Sequence, residues 1–138
     1  NEKIEEKFDA ITLIEVFEHI PLDLCDDFTK VLPDLLNENG KIYLTVPHEN
    51  KILQDKHFQH FNYKSLVKYF EKNFQVVEVI YIQKQDKLLS VLNKLFSNKL
   101  WILNNSLLSN YFYKFYKKRY FFADEKTCGR IYLKMIKK

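Results

Sequence analysis

Residues 8–21, FDAITLIEVFEHIP, constrain the fold of this chain more than any other stretch. The stretch begins as a nearly continuous apolar run, which is the pattern of a strand buried on both faces of a parallel sheet. The run ends abruptly in Glu15, Glu18 and His19. In open α/β sheets ligands bind beyond the carboxyl ends of the strands, so these side chains are predicted to lie at a site. The alternative is that the strand leads into a helix whose carboxylates are merely solvated.

The residues after Pro21 predict an amphipathic helix and then a short strand. Apolar side chains recur with helical spacing over residues 24–36, with Asp23 as the expected N-cap and Pro33 expected to kink or divide the helix. Asn39-Gly40 is predicted to end this helix, because both residues tolerate the left-handed conformation. Residues 41–46 are then predicted to form a strand.

Three of the four histidines, His48, His57 and His60, lie in the segment 48–61, which has neither helical nor strand periodicity. This segment is predicted to be a loop at the carboxyl end of a strand. A histidine in such a loop either serves a site or caps the loop and packs against the next helix. The sequence leaves both roles open for His57 and His60.

Beyond the loop the pattern predicts five further elements. They are a helix capped by Asn62 and running to about residue 72, a strand at 74–82, amphipathic helices at 88–96 and 107–116 with Trp101 between them, and a strand at 130–136. No internal repeat, low-complexity tract or second domain is visible.

The motif FDAITLIEVFEHIP resembles the fourth strand and following loop of class I S-adenosylmethionine-dependent methyltransferases of the small-molecule branch. In that branch an Asp two residues into the strand precedes apolar residues and a Glu-x-x-Glu-His. The later segments KIYLTVP and HFQHFNYKSLVKYF resemble the family's next strand, its His-containing segment and the helix after it. The resemblance covers residues 8–82 and, weakly, the last ten. It implies a truncated Rossmann-like α/β sheet in the order fourth, fifth, seventh, sixth strand, with the last strand antiparallel.

The chain departs from the family in its glycines. Family members bind the cofactor with a Gly-rich turn after their first strand, whereas this chain has only Gly40 and Gly129, each beside a predicted strand. The chain also opens at Asn1 and reaches the fourth-strand motif within eight residues. We therefore expect residues 1–138 to be the C-terminal part of a methyltransferase domain, inactive alone and unable to bind S-adenosylmethionine alone.

The resemblance implies roles for the residues after the first strand. Ile14, Glu15 and Val16 are expected to contact the methionine portion of S-adenosylmethionine, largely through backbone groups and packing. His19 is the expected base for a hydroxyl acceptor, oriented by Glu18 or Glu15, and His57 is a further catalytic candidate. The function implied is methylation of a small-molecule or glycan-linked hydroxyl or similar group.

A metal site is the competing hypothesis for the same residues. Glu15, Glu18 and His19 together with His57 or His60 offer carboxylate and imidazole ligands for a divalent cation that would bind the hydroxyls of an acceptor. Small-RNA 2′-O-methyltransferases show a similar Glu-x-x-Glu-His and a later His. Metal-assisted RNA methylation is therefore an alternative function, although the sequence favours a site without metal.

The composition indicates a globular protein. Hydrophobic residues make up 46% of the 138 residues and aromatic residues 16%, which excludes disorder by composition. Neither a membrane span nor a secretion signal is visible in the sequence. Cys25 and Cys128 have no metal-ligand spacing, and the pair predicts reduced, buried thiols of a cytoplasmic protein, although a disulfide between them stays open.

The two halves of the chain carry opposite charges. Residues 1–82 have nine Lys and fifteen Asp or Glu, a net charge of −6, whereas residues 83–138 have thirteen Lys or Arg and three Asp or Glu, a net charge of +10. This asymmetry predicts either an anionic partner near the C-terminal part or attraction between the two halves.

The run YFYKFYKKRYFF, residues 111–122, combines aromatic and basic side chains. Such a run can lie at a membrane interface or stack on bases, but its spacing also predicts a core-facing stripe. The stripe comprises Tyr111, Phe112, Phe115 and Tyr116. In resembling enzymes an insertion before the last strand covers the substrate pocket, so residues 83–128 are predicted to be a helical substrate lid.

These features leave a second function class and several partners to be weighed. A non-catalytic module that binds an anionic partner through its basic aromatic helices is the alternative to an enzyme. A small molecule or glycan is the expected substrate, nucleic acid is disfavoured, and peripheral contact with a membrane stays open. The apolar strand at 8–14 would have one unpaired edge in this chain, which predicts self-association.

Overall fold

The computed structural model describes residues 6–96 and 106–138, which form a mixed α/β fold. The strands are β1 (Phe8–Ile14), β2 (Leu36–Pro47), β3 (Phe74–Ile82) and β4 (Arg130–Lys137), and the helices are α1 (Cys25–Val31), α2 (Tyr63–Phe70), α3 (Lys87–Phe96) and α4 (Ser106–Tyr116). Short 3₁₀ turns at Phe17–His19 and Leu22–Leu24 follow β1, and a π-helical turn at Lys117–Phe121 follows α4.

The four strands form one sheet in the order β1-β2-β4-β3. β1 and β2 are parallel, whereas β4 runs antiparallel to both of its neighbours. This arrangement confirms the predicted strand order and the predicted direction of the last strand. The carboxyl ends of β1 and β2 and the amino end of β4 therefore lie at one edge of the sheet.

One face of the sheet carries the core. The side chains on this face come from alternate residues of β2 and β4, from Leu13 of β1, and from the helices that cover these strands. The buried cluster comprises Leu13, Phe17, Cys25, Leu32, Leu36, Ile42, Leu44, Val46, Phe61, Leu66, Phe70, Phe74, Ile131, Leu133 and Met135. Because α1 and α2 contribute to this one cluster, both pack on the same face.

Strand β1 is not buried on both faces, contrary to the prediction from its apolar run. Only Leu13 is buried, while Phe8 and Ile14 are 43% and 55% exposed. The physical reason is that β1 pairs with β2 alone among the described residues, and its face opposite Leu13 is exposed at Phe8, Ala10, Thr12 and Ile14. Strand β1 thus has more apolar side chains than the described part of the chain buries.

The region predicted as one long helix contains a short helix and a turn. Asp23 lies in a 3₁₀ turn, and the N-cap of α1 is Leu24, without a side-chain hydrogen bond. The helix ends at Val31 because Pro33 supplies no backbone donor, and turns with i to i+3 bonds lead into β2. Asn39-Gly40 lies inside β2 and does not end a helix, which corrects that prediction.

The predicted cap at Asn62 is confirmed. Its side chain accepts a hydrogen bond from the Ser65 backbone, and the Ser65 hydroxyl accepts one from the Asn62 backbone, which forms a reciprocal capping box. The helix ends at Phe70, two residues before the predicted end. Strand β3 has the predicted bounds, and segment 48–61 is irregular as predicted.

Helices α3 and α4 lie within the predicted insertion, and Trp101 falls outside the described residues. The predicted core-facing stripe on α4 is wrong for most of its members. Tyr111, Phe112 and Phe115 are exposed, and only Tyr116 is half-buried, where it stacks on the buried ring of Tyr120. Among residues 6–96 and 106–138, no helix has the length and apolar content needed to cross a membrane.

Candidate functional site

The loop after β2 folds over the turn that follows β1, and this contact assembles the site. The Phe58 backbone N–H donates to the Glu18 carbonyl at 2.9 Å. That bond fixes His57 beside the Phe17–His19 turn, and the rings of His19 and His57 meet edge to face with centroids 4.8 Å apart. Side chains 38 positions apart in sequence are thereby brought together at the carboxyl edge of the sheet, as predicted.

A backbone carbonyl fixes the tautomer of His19. Its Nδ1 lies 2.8 Å from the Lys56 carbonyl oxygen. Because a carbonyl oxygen only accepts, Nδ1 is the donor and carries the proton of the neutral ring. The lone pair of the exposed His19 ring is therefore on Nε2. The group that orients His19 is this carbonyl, and neither Glu15 nor Glu18 accepts the bond.

A second chain of hydrogen bonds fixes His57. The Nδ1 of His60 donates to the Lys51 carbonyl at 3.1 Å, so the neutral His60 ring has its lone pair on Nε2. His57 Nδ1 donates to this Nε2 across 2.8 Å, which leaves the His57 lone pair on its own Nε2. Burial, followed by the neighbouring rings of His19 and His60, lowers the pKa of His57 and so favours the neutral ring. His60 thus holds the His57 ring in place through this hydrogen bond.

Glu18 is the most unusual side chain of the site. It is fully buried, and neither of its carboxylate oxygens has a hydrogen-bond partner among the described residues. Burial raises the pKa of Glu18, with a further contribution from the nearby charge of Glu15, while its own backbone and the charges of His19 and Arg130 oppose the shift. An unpartnered buried carboxylate is costly, so this position favours either a bound proton or a cation.

Glu18, His19 and His57 form a compact cluster of acceptors. One ligand atom from each of the three lies within 4.8 Å of the others. The hydrogen bonds above leave each imidazole with one free lone pair, and the Glu18 carboxylate has no hydrogen-bond partner among the described residues. Such a cluster can take a proton from a hydroxyl, or it can hold a divalent cation. Glu15 and His60, which the metal hypothesis also considered, do not belong to it.

Glu15 ends β1 in a left-handed backbone conformation, with φ of 55°. Non-glycine residues rarely adopt this conformation, and it often marks a functional position. The Glu15 carboxylate is held by Arg130 at 2.9 Å and by the Thr45 hydroxyl at 3.3 Å. The flanking side chains of Ile14 and Val16 are 55% and 40% exposed at the sheet edge, so they are available for packing against a ligand.

The sequence reasoning did not identify two groups that shape the site. Arg130 is the first residue of β4. Because the last strand was predicted to be antiparallel, the sequence could have placed Arg130 at the carboxyl edge of β1 and β2. The position of the Lys56 carbonyl could not be predicted, because no local sequence pattern indicates the path of an aperiodic loop.

Comparisons with known proteins identify the fold. No protein-family model matches the chain, and no curated protein matches it. Solved structures do match. An S-adenosylmethionine-dependent methyltransferase from Archaeoglobus fulgidus aligns with a TM-score of 0.59 and 12% identity, over 96% of this chain and 60% of that one. The N-methyltransferase NodS from Bradyrhizobium japonicum, in complex with S-adenosylhomocysteine, aligns with a TM-score of 0.58 and 12% identity, over 99% of this chain and 49% of that one.

Coclaurine N-methyltransferase, bound to N-methylheliamine and S-adenosylhomocysteine, aligns with a TM-score of 0.52 and 16% identity, over 98% of this chain and 49% of that one. The described chain thus has the fold of S-adenosylmethionine-dependent methyltransferases, and it spans about half to three-fifths of the length of the matched structures. This result confirms the resemblance that the sequence predicted, at the level of the fold.

Proposed function

We propose that this chain supplies the acceptor side of an S-adenosylmethionine-dependent methyltransferase, in which His19 removes the proton of a hydroxyl or similar acceptor. The observation that carries the proposal is the hydrogen bond from His19 Nδ1 to the Lys56 carbonyl, because it leaves Nε2 as a free base at the carboxyl edge of the sheet. Such an edge is the usual ligand position in open α/β folds.

S-adenosylmethionine would supply an electrophilic methyl group when bound. The residues of this chain that fit it are Ile14 and Val16, whose apolar side chains are exposed at the ligand edge, and Glu15, whose backbone is left-handed directly after β1. No Gly-rich turn exists in the 138 residues, so the groups that hold the rest of the cofactor would come from sequence outside them. We propose that residues 1–138 are the C-terminal part of the domain and that residues 83–128 form its substrate lid.

The proton taken by His19 would create an imidazolium beside Glu18. A buried carboxylate close to this ring stabilises the positive charge, much as an acid partner stabilises the protonated base in other enzymes. His57, whose Nδ1 donates to His60, accepts through Nε2 a hydrogen bond from a second hydroxyl of the acceptor and so orients the molecule. Glu18 is therefore proposed to stabilise the protonated His19 ring and His57 to position the acceptor, whereas His19 removes the proton.

A cleft with several polar side chains begins at His48, directly after β2, although none of Glu18, His19 and His57 lines it. It has a volume of about 410 Å³ and includes His48, Asn50, Asn62 and Glu125 in its lining. These side chains offer amide and carboxylate groups that hydrogen-bond to several hydroxyls, which supports a small polyhydroxylated molecule or a glycan as the substrate class. The free, buried thiols of Cys25 and Cys128 support the cytoplasmic location that we propose for the reaction.

The test is methyl transfer from labelled S-adenosylmethionine to a panel of hydroxylated acceptors, in the protein that includes the sequence encoded upstream of Asn1. His19→Asn keeps an amide donor near the Nδ1 position but has no base at Nε2. We expect a loss of turnover of about a hundredfold or more, with cofactor affinity nearly unchanged. Added imidazole should restore part of the rate in His19→Ala. Wild-type rates in His19→Asn and His19→Ala would exclude the base role.

A second candidate function rests on the Glu18, His19 and His57 cluster, namely a divalent cation that binds the hydroxyls of the acceptor. The buried, unpartnered carboxylate of Glu18 favours it, because a cation would compensate this charge. Metal-assisted methylation of RNA 2′-hydroxyls is the narrower form of this hypothesis.

Calorimetric titration of Mn²⁺ and Zn²⁺ into the 138-residue chain tests the cation site without an activity assay. Glu18→Gln should abolish binding, whereas Glu15→Gln, which removes a neighbouring carboxylate outside the cluster, should preserve it. Absence of binding by the unmodified chain, or equal binding by the Glu18→Gln variant, would remove this candidate.

A non-catalytic binding module is the remaining alternative, and the sequence encoded upstream of Asn1 decides it. A Gly-rich turn after an apolar strand within roughly a hundred residues upstream supports the enzyme. If that sequence contains no such turn, the binding module is the better explanation of the fold.

A further inference from the structure

The part of the chain that contains α3 and α4 has an extreme charge distribution. Between Asp86 and Asp124 there is no acidic residue. Seven cations occur in the same 37 positions: Lys87, Lys94, Lys99, Lys114, Lys117, Lys118 and Arg119. A segment with this composition is attracted to anionic surfaces and has no acidic groups of its own to compensate its charge.

Helix α4 exposes large aromatic side chains on one face. Tyr111 and Phe115 are four residues apart, so they lie on the same side of the helix, and they are 70% and 44% exposed. Phe122, just beyond the π-helical turn, is 58% exposed. Lys114, Lys117 and Lys118 are exposed beside them. Contiguous exposed apolar patches mark sites of interaction with proteins or membranes.

Helix α3 adds exposed aliphatic side chains. Leu88 and Val91, three residues apart on its surface, are 54% and 53% exposed. Aliphatic groups contribute nothing to stacking on nucleic-acid bases, which requires aromatic or guanidinium planes. They do gain free energy in the acyl region of a bilayer, where Tyr and Phe lie at the headgroup level and Lys and Arg reach the phosphates.

A cleft near the C-terminal end of α4 combines the two properties. It has a volume of about 350 Å³, and Phe115, Lys118 and Arg119 are among the residues that line it, so an aromatic ring and two cations border the same cleft. A lipid phosphate bound by the cations would bring its acyl chains against the aromatic ring. Arg119 also lines a neighbouring cleft with Lys84 and Asp124, so the basic character of the surface is partly compensated there.

We propose that α3 and α4 dock this chain on the surface of a lipid bilayer that carries anionic headgroups. The exposed side chains of Leu88, Val91, Tyr111 and Phe115 enter the boundary between headgroups and acyl chains, and the lysines after α4 bind the phosphates. The inference does not depend on methyl transfer, because none of the residues that it uses belongs to the Glu18, His19 and His57 cluster.

The experiment is flotation of the 138-residue chain with vesicles of phosphatidylcholine alone and with vesicles that contain roughly 30 mol% phosphatidylglycerol. We expect binding to the anionic vesicles and much weaker binding to the neutral ones. Lys117→Glu/Lys118→Glu should weaken binding by about thirtyfold or more, because each cation near the surface contributes about a factor of five. Tyr111→Ser/Phe115→Ser should also release the chain.

Matched control variants change equally exposed residues elsewhere. Lys64→Glu/Lys68→Glu reverses two exposed lysines of α2, and Ile52→Ser removes a side chain that is 92% exposed in the loop. Both controls should bind as the unmodified chain does. Equal weakening by test and control variants would overturn the proposal, because it would indicate attraction by net charge alone.

A competition with single-stranded RNA distinguishes the other class of anionic partner. Retention of the chain by RNA, without binding to the anionic vesicles, would overturn the proposal, and so would binding to neither. The unmodified chain supplies a further measurement that no folding defect can affect: higher salt should weaken its vesicle binding, since the lysines act through long-range charge. Salt-independent binding would contradict the role of the lysines.

Discussion

The Oε2 atom of Glu15 lies 2.9 Å from Nη2 of Arg130, and this ion pair joins β1 to β4 across the intervening strand β2. Thr45 of β2 donates its hydroxyl to the other carboxylate oxygen at 3.3 Å. Three strands are thus joined by one carboxylate at the edge where the candidate site lies. Both charged side chains are about two-thirds or more buried, so water screens the pair less than it screens a surface pair.

Removing this pair should lower the stability of the sheet. We expect Glu15→Gln and Arg130→Met each to reduce the free energy of unfolding by about 1–2 kcal/mol, and a double-mutant cycle to give a coupling of about 1 kcal/mol. Urea denaturation measures both quantities. The control is Asp27→Asn, which breaks an exposed pair with Lys30 and should have no measurable effect. Additive effects of the Glu15 and Arg130 variants would show that the pair is uncoupled.

Of the two glycines, Gly40 is expected to tolerate substitution by alanine less well than Gly129. A Cβ added there would lie 2.8 Å from the Cβ of Leu36 and 2.9 Å from the Asn37 carbonyl oxygen, both of which are fixed by the start of β2. Gly40→Ala should therefore destabilise the chain by about 1–3 kcal/mol in urea denaturation. At Gly129 the nearest atom is Nε2 of the flexible Gln85 side chain, so Gly129→Ala should cost less. The reverse order would contradict this packing argument.

The same glycine shows where the sequence misleads. Asn39-Gly40 matches a helix-ending signal, but the structure uses it in β2, where Asn39 has φ of 64° and the register to β1 shifts between Phe8 and Ala10. A left-handed residue followed by glycine serves a helix end and an irregular strand equally well, so the local pattern does not distinguish them. The cap at Asn62 was predictable because its partner, Ser65, is only three residues away.

The candidate site was predictable in part for a similar reason. Glu18 and His19 follow a strand that is visible in the sequence, and the topology of a parallel sheet places such residues at the ligand edge. The pairing of His57 with His19 depends on the Phe58 to Glu18 backbone bond, which has no sequence pattern. The exposure of Tyr111 was not predictable, because helical spacing gives the same stripe whether the stripe faces a core or a partner.

His48 should make stability depend on pH. The side chain is 2% exposed, its Nδ1 accepts the Asn50 backbone N–H at 3.0 Å, and its Nε2 is buried without a partner among the described residues. Burial lowers the pKa of His48, although the charges of Glu49 and Glu125 and an interaction with the Asn50 side chain oppose the shift. Below a pH of about 6.5 the unfolded chain therefore binds a proton that the folded chain does not, and stability falls as the pH is lowered.

The measurement is the free energy of unfolding in urea between about pH 8 and pH 5. His48→Asn keeps an acceptor for the Asn50 backbone but does not titrate, so its stability should fall less over this range than that of the unmodified chain. The difference between the two proteins isolates His48 from the other histidines. Parallel pH profiles for the two proteins would show that His48 is not responsible.

The outer edge of β1 is expected to cause self-association of the 138-residue chain. Within residues 6–96 and 106–138, β1 pairs only with β2, and its residues are mostly exposed despite their apolar character. An unpaired, apolar strand edge is a template for another strand, and a charge placed on the edge opposes such pairing. Light scattering at increasing concentration should therefore detect dimers or larger species, and Thr12→Lys should reduce them. Ile52→Lys adds the same charge to an exposed loop position and should leave association unchanged.

Amide exchange along residues 10–14 should be fast in the monomer and slower on association. A strictly monomeric chain with slow exchange throughout residues 10–14 would mean that other residues cover this edge, and the placement of β1 at the open side of the sheet would then be wrong.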